Sequence, residues 1–366
     1  MTPFDRMRQS RFRGCLGDIA AVGARSGAVR PLPGPVVGSV VRGASDGCIG
    51  RRDAVRCNEL AHVLGPATRR WALAVACIVE VALNGATTKD VNPRVPRTPS
   101  EITIDALACI DAGATIVHNH NDEFLWAEGG IHAADPYLAA WKPILDVHPD
   151  VLLYATMASG GPGIAIEARW GHQAELARAG VSRIGLVDPG SLSLGLLDEN
   201  GMPMALDLVY VNTYADALYM VKQCADLGLA PSISIFDPSF LRVALAFHDA
   251  QALPRGVLIK LYFGGNIPFG LPPTIASLEA DLGMLDGSDL PWLVAVLGGD
   301  VVESGLAQAA LDRGGHLRVG LEDYAGTRTP RNVELVEQLA ELITASGRTI
   351  ATVEETHQIL GIPVNR

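Results

Sequence analysis

Two imidazoles stand two residues apart near the end of the segment Ile116-Val117-His118-Asn119-His120-Asn121. In an extended chain side chains alternate between faces, so His118 and His120 point the same way. About 6.6–7 Å of backbone separates them, near enough for both rings to reach one ion. A second cluster, Gly315-His316-Leu317-Arg318-Val319-Gly320-Leu321-Glu322-Asp323, puts Arg318, Gly320 and Glu322 on one face by the same alternation. Glu322 offers the oxygen ligand that two histidines lack. Two histidines, one carboxylate and an open position form the ligand set of a catalytic zinc, which polarises a carbonyl as a Lewis acid. The competing reading has no metal. In it His118 and His120 bond to backbone at a loop entrance, and Arg318 pairs with Glu322 or Asp323.

Other residues carry less. Asp188-Pro189-Gly190-Ser191 either offers Ser191 to a substrate carboxylate or is only a tight turn. Lys260 reads as one partner of an ion pair at a strand end, with a Schiff-base lysine as the alternative. Gly264-Gly265-Asn266 and Gly298-Gly299 would let a ligand approach the backbone, although glycine turns form without one. His132, His148, His172 and His357 fall in loops or helices and read as surface or structural residues.

From Trp71 onward, short apolar runs of strand length alternate with amphipathic stretches of helix length. Strands are expected at 72–83, 115–119, 151–156, 183–187, 232–236, 256–262, 292–297 and 316–321. Helices are expected between and after them, at 99–112, 136–147, 166–179, 213–227, 239–252, 275–286, 302–313 and 332–346. Thr98-Pro99-Ser100-Glu101 is a well-formed helix start. Eight β-then-α units predict an α/β fold, a (β/α)8 barrel over 66–366, with active residues at the C-terminal ends of the strands. A doubly wound open sheet is disfavoured, because no glycine fingerprint follows the first strand and no phosphate-binding loop occurs.

The chain has 366 residues, 48% of them apolar and 19% charged, a composition that excludes a wholly disordered protein. A net charge of −11 argues against nucleic acid or an anionic membrane as partner. Residues 1–70 hold twelve Arg, no Lys and five acids, and 1–65 are rich in Arg, Gly, Pro and Ser without an apolar period. This stretch is expected to be a flexible, dispensable N-terminal leader. Six cysteines without metal-ligand or C-x-x-C spacing suggest reduced thiols in a cytoplasm. The longest apolar run, 72–83, is broken by Glu80 and is shorter than the roughly 20 residues of a membrane span.

Four motifs together resemble the β-keto acid cleavage enzyme family: Asn84-Gly85-Ala86-Thr87-Thr88-Lys89 through Pro96-Arg97-Thr98-Pro99, then Ala112-Gly113-Ala114 leading into the paired histidines, Arg318 to Asp323, and the closing 351–361 segment. The likeness spans about 71–362 of the numbered chain. It implies a zinc-dependent barrel, typically a homotetramer, that converts a β-keto acid and acetyl-CoA to acetoacetate and a new acyl-CoA. It places the metal ligands on His118, His120 and Glu322, and the catalytic pair on Arg318 and Asp323. On this reading Arg318 pairs with the substrate carboxylate and Asp323 orients the guanidinium, while Asn84, Ser159, Gly160, Gly161, Ser191 and Asp237 are the substrate-contact candidates. A metal-dependent barrel hydrolase and a non-catalytic binding scaffold are the alternatives.

Departures from the family bear on substrate choice. The first-strand loop is one residue short and lacks an acid before its paired threonines, Ala158 precedes Ser159 in the glycine-rich turn, and Ser232 and Ser234 stand where other members have glutamates. These changes predict neutral or apolar β-keto acids over amino-substituted ones, with Asp237 as the carboxylate that could still meet a cation.

Overall fold

Eight short parallel strands form the centre of the chain, and nearly every residue in them is buried. The computed structural model describes residues 76–121, 132–157, 164–205 and 209–363. The expected leader over 1–65 lies outside them, as do Ser159, Gly160 and Gly161. In chain order the elements are β1 (Ala76–Cys77), β2 (Val79–Ala82), α1 (Pro99–Asp111), β3 (Ile116–Asn119), α2 (Asp135–Val147), β4 (Leu152–Ala155), α3 (Ile166–Arg178) and β5 (Ile184–Val187). There follow β6 (Leu192–Ser193), β7 (Val209–Tyr210), α4 (Tyr214–Leu227), β8 (Ala230–Ile235), α5 (Pro238–Asp249), β9 (Leu258–Gly264) and α6 (Ile275–Leu285). The chain continues through β10 (Trp292–Leu297), α7 (Leu306–Asp312), β11 (His316–Val319), α8 (Asn332–Ala345), β12 (Thr349–Ile350) and α9 (Val353–Leu360).

The large sheet runs β4-β3-β2-β11-β10-β9-β8-β5, every pair parallel, and curls into a near-closed (β/α)8 barrel. Each of the eight expected strands and helices is found, with ends shifted by a few residues. The long first run divides at Ile78, whose N–H donates to His316 Nδ1 at 3.1 Å instead of joining the ladder. Pieces not foreseen are the small β6–β7 ribbon, the helix α9, and the β1–β12 pair, which lies outside the large sheet.

Local chemistry explains the helix starts. Reciprocal capping boxes at Thr98/Glu101, Thr213/Asp216 and Thr352/Glu355 satisfy N-terminal amides of α1, α4 and α9. Gly228 and Gly361 end α4 and α9 in the left-handed conformation that glycine adopts without steric cost. Among the described residues, no helix is long and apolar enough to cross a membrane.

Candidate metal centre and active site

The pleat of β3 and β11 decides what meets at the C-terminal mouth. His118 and His120 share one face, with ring centroids 5.3 Å apart and nearly perpendicular. Asn119, between them, faces the other way and accepts a hydrogen bond from Trp141 Nε1 at 2.8 Å. Glu322 follows β11 and approaches from the far side of β2, bringing its carboxylate to 3.2 Å from His118 Nε2 and 3.4 Å from His120 Nε2. Among the described residues these three form the one group of His, Cys, Asp and Glu side chains able to hold a metal ion, with ligand atoms all within 4.8 Å of one another.

Two glycines make that convergence possible. Gly320, with φ of +145°, lets the chain leave β11 against β2, where a Cβ would stand 2.0 Å from the Ala82 carbonyl oxygen. At Gly85, φ is +49° and a Cβ would meet Glu322 Cγ at 2.3 Å. Side chains there would force the carboxylate out of the mouth. Asn84 then fixes the loop: its Nδ2 donates to the Pro96 and His120 carbonyls at 3.0 Å each, and its Oδ1 accepts from the N–H groups of His120 at 2.8 Å and Gly85 at 3.0 Å. That amide is fully engaged with backbone, so Asn84 positions a ligand rather than presenting a free group. Asn332 joins the two loops, donating to Leu83 O and accepting from Leu321 N at 2.8 Å each.

The polar atoms facing the centre test whether a cation fits. His118 Nδ1 lies 3.2 Å from the Tyr154 carbonyl, which can only accept, so that nitrogen carries the proton. Its Nε2 therefore turns a lone pair toward the Glu322 carboxylate. Burial pushes the His118 pKa down to about 4, which keeps the ring neutral at neutral pH. Burial also opposes ionisation of Glu322, but the permanent charge of Arg318 beside it favours the carboxylate, and the carboxyl is held well below the usual range. A lone pair thus faces an anion at contact distance, while His120 Nε2 and Glu322 Oε2 are buried without any hydrogen bond. A cation between them resolves the repulsion, and N,N,O donor sets of this kind suit zinc.

Arg318 lies beside the triad with four guanidinium hydrogen bonds and one further ion-pair contact. Nε and NH2 form a fork on Asp323 at 2.8 and 3.0 Å, NH1 reaches Glu80 Oε1 at 2.8 Å and the Tyr154 hydroxyl at 3.0 Å, and NH2 lies 3.3 Å from Glu322. Tyr154 in turn donates to Glu80 at 2.5 Å and accepts from Lys260 at 3.0 Å. Burial raises the Asp323 pKa to about 6, against the lowering effect of Arg318. For Glu80 the neighbouring Lys260 and Arg318 outweigh burial and hold the carboxyl low. Arg318, Glu80 and Lys260 are each at most 1% exposed. Lys260, expected in an ion pair at a strand end, instead donates to the Tyr154 hydroxyl deep in the barrel, in the field of Glu80 and Asp188.

The remaining candidates are placed differently. Ser191 Oγ donates to Asn212 O and accepts from Asn212 N at 2.8 Å each, closing a loop beside a cleft lined by Pro189, Gly190, Asn212, Thr213 and Ser239. Asp237 caps α5 by accepting from Ser239 N at 2.8 Å. Glu80, Tyr154 and Asp188 were not foreseen as site residues. Glu80 left a legible trace, a charge inside an otherwise apolar strand. Tyr154 left none.

Comparison with known proteins extends the geometry. The sequence profile of the beta-keto acid cleavage enzyme family matches residues 76–362. The 3-keto-5-aminohexanoate cleavage enzyme of Acetoanaerobium sticklandii is 28% identical over 295 residues, covering 78% of this chain and 98% of that protein. The 3-oxoadipate:acetyl-CoA acetyltransferase of Cupriavidus necator is 28% identical over 298 residues, 78% and 95% of the two chains. A third relative, the 3-dehydrocarnitine:acetyl-CoA trimethylamine transferase of Rhizobium meliloti, is 29% identical over 294 residues, 77% and 95%. Among solved structures, the binary complex of ObcA with oxaloacetate superposes with a TM-score of 0.55 at 17% identity, covering 74% of this chain and 68% of that one, a likeness of fold.

Proposed function

Because the chain belongs to the β-keto acid cleavage enzyme family, we propose that it transfers the acyl group of a β-keto acid to CoA, with zinc held by His118, His120 and Glu322. The net reaction exchanges partners without a redox change. The bond between the acyl carbon and the carboxymethyl carbon breaks, a bond from that carbon to the acetyl group forms, and the CoA sulfur gives up acetyl and takes the new acyl group. Acetoacetate and an acyl-CoA leave. The observation that supports this reading best is the convergence of His118 Nε2 and His120 Nε2 on the Glu322 carboxylate at 3.2 and 3.4 Å, with all ligand atoms within 4.8 Å of one another.

When bound, the metal supplies Lewis-acid polarisation of the keto carbonyl. The chain supplies the rest. Arg318 places a permanent positive charge beside the reacting centre, where its low-dielectric setting strengthens stabilisation of a developing oxyanion. Its contact with Glu322 at 3.3 Å is the longest of its five and the one a substrate carboxylate would displace. Asp323 and Glu80 hold the guanidinium plane from two sides. With a pKa above about 12, Arg318 acts by charge rather than as a base. Ser159, Gly160 and Gly161 belong to the same proposal as substrate contacts, as do Ser191 and Asp237 if substrate or CoA reaches their loops.

A homotetramer and a cytoplasmic location complete the proposal. The first is tested by light scattering of the purified protein. The second is supported by buried free thiols at Cys77, Cys109 and Cys224, the first and last pushed up to about 12 by burial. The hydrolase and scaffold alternatives give way to the family assignment. The function itself is tested by supplying a panel of 3-oxo acids with acetyl-CoA to zinc-loaded protein and measuring acetoacetate. Formation of acetoacetate with at least one acid supports the proposal, and its absence with every acid rejects it.

A further inference from the structure

Opposite the metal triad, the barrel wall contains a second polar group that acyl transfer at the metal does not use. In an eight-stranded barrel the wall facing any strand is four strands away, so β5, β8 and β9 face β11, β2 and β3 across the interior. The parallel registers put Leu186 level with Ser232, and Ser234 level with Lys260. Asp188, two residues beyond Leu186, is therefore level with Ser234 and points to the same side. It is 3% exposed. Tyr210 donates to its Oδ2, the Ser234 hydroxyl lies within reach of the carboxylate, and Lys260 and Arg169 are the cations nearest to it. Its Oδ1 has no hydrogen-bond partner, and neither has Ser232 Oγ, one step deeper on β8.

A buried carboxylate oxygen without a donor is costly, by roughly 1–3 kcal/mol and more when charged. We propose that Asp188 is the specificity-determining residue of the acyl side of the site, and that its Oδ1 accepts a hydrogen bond from a hydroxyl group on the side chain of the β-keto acid. The inference rests on the acyl-transfer reading for the identity of the ligand. An alkyl chain would leave Oδ1 as it stands, desolvated and unpaired. An ammonium would have to share Asp188 with Lys260 Nζ, which already lies between Asp188 and Glu80, and would carry a full charge into a wall whose burial disfavours charge. A hydroxyl satisfies the oxygen without adding charge, and Ser232 and Ser234 can donate to it or accept from it.

The test is calorimetric binding to zinc-loaded protein without acetyl-CoA, so that no turnover intervenes. The ligands are 3-oxohexanoate, its 4-, 5- and 6-hydroxy analogues, and 5-amino-3-oxohexanoate. At least one hydroxy acid is expected to bind at least about tenfold more tightly than both the parent and the amino acid. In Asp188→Ala the ratio of hydroxy to parent affinity should fall to near one. Asp188→Asn keeps the volume, provides a second variant if alanine disturbs folding, and should lower the same ratio. Equal binding of all the acids, tighter binding of the amino acid, a ratio that survives both substitutions, or no binding at all would overturn the inference. Acetoacetate formation from 3-oxohexanoate and acetyl-CoA, measured in parallel, reports separately on the acyl-transfer reading.

Discussion

The two walls of the barrel interior treat their polar groups differently. On the β2, β3 and β11 side nearly every donor and acceptor among the described residues is matched: Arg318 makes four hydrogen bonds, Asn84 uses its whole amide, and the unmatched atoms, apart from Glu80 Oε2, are His120 Nε2 and Glu322 Oε2 at the triad. On the β5, β8 and β9 side, Asp188 Oδ1 and Ser232 Oγ are left unmatched away from any metal-ligand group. On the proposed reading the first wall is organised around a cation and the charge that develops near it, and the second around a group the substrate brings. Chemistry and selection would then occupy opposite walls, letting substrate preference change while the reacting centre stays intact.

The largest expected effect breaks the first wall. His118→Ala and Glu322→Ala each remove one of three ligands, and each should abolish zinc retention and reduce acetoacetate formation by a thousandfold or more, on the order expected when a catalytic metal is lost. Elemental analysis and circular dichroism should show metal-free but folded protein. Full zinc occupancy in either variant would mean that the cation is held elsewhere.

A smaller effect separates the walls. Lys260 lies between them, bonded to Tyr154 and paired electrostatically with Glu80 and Asp188. Lys260→Met leaves those buried carboxylates without their ammonium, and should lower stability by about 3–5 kcal/mol in chemical denaturation. Zinc stoichiometry should stay at the wild-type value, because no ligand bonds to Lys260. Loss of zinc in a folded Lys260→Met protein would show that the walls are one unit.

The smallest effect lies outside the barrel interior, beside the second wall. Asp281 on α6 has a buried oxygen without a partner, and burial, assisted by the charge of Asp237, raises its pKa from 3.8 to about 6. A carboxyl raised on folding contributes stability that is present below its unfolded pKa and lost as pH rises through the folded value. Asp281→Asn should therefore raise Tm at pH 8 by a small amount, and the difference should vanish toward pH 4. An equal shift at both pH values would assign the effect to packing instead.

Much of the first wall was legible because its signals are local in sequence. Strand alternation alone brings His118 and His120 to one face, and the spacing from Arg318 to Asp323 spans one strand end. The eight-unit rhythm sufficed for the barrel because the strands are buried on both faces and several helices carry a clear start signal, as at Thr98, Thr213 and Asp237. The second wall was harder to read. Asp188, Ser234 and Lys260 come from three strands, and their meeting depends on register, which the motifs do not reveal. Asp188 sits in a Pro-Gly turn whose composition explains itself, and Tyr210 arrives from an unforeseen ribbon. Asn84 was recognised as a site residue, but its use on backbone depends on where the His120 loop returns.

The most direct test follows the acetyl carbon. Zinc-loaded protein is given acetyl-CoA labelled with 13C at the carbonyl and an unlabelled 3-oxo acid that it accepts, and the products are read by NMR. The account predicts label at the keto carbon of acetoacetate, together with an equal amount of unlabelled acyl-CoA. Label remaining in acetyl-CoA while the 3-oxo acid is consumed would contradict acyl transfer and return the metal centre to hydrolysis.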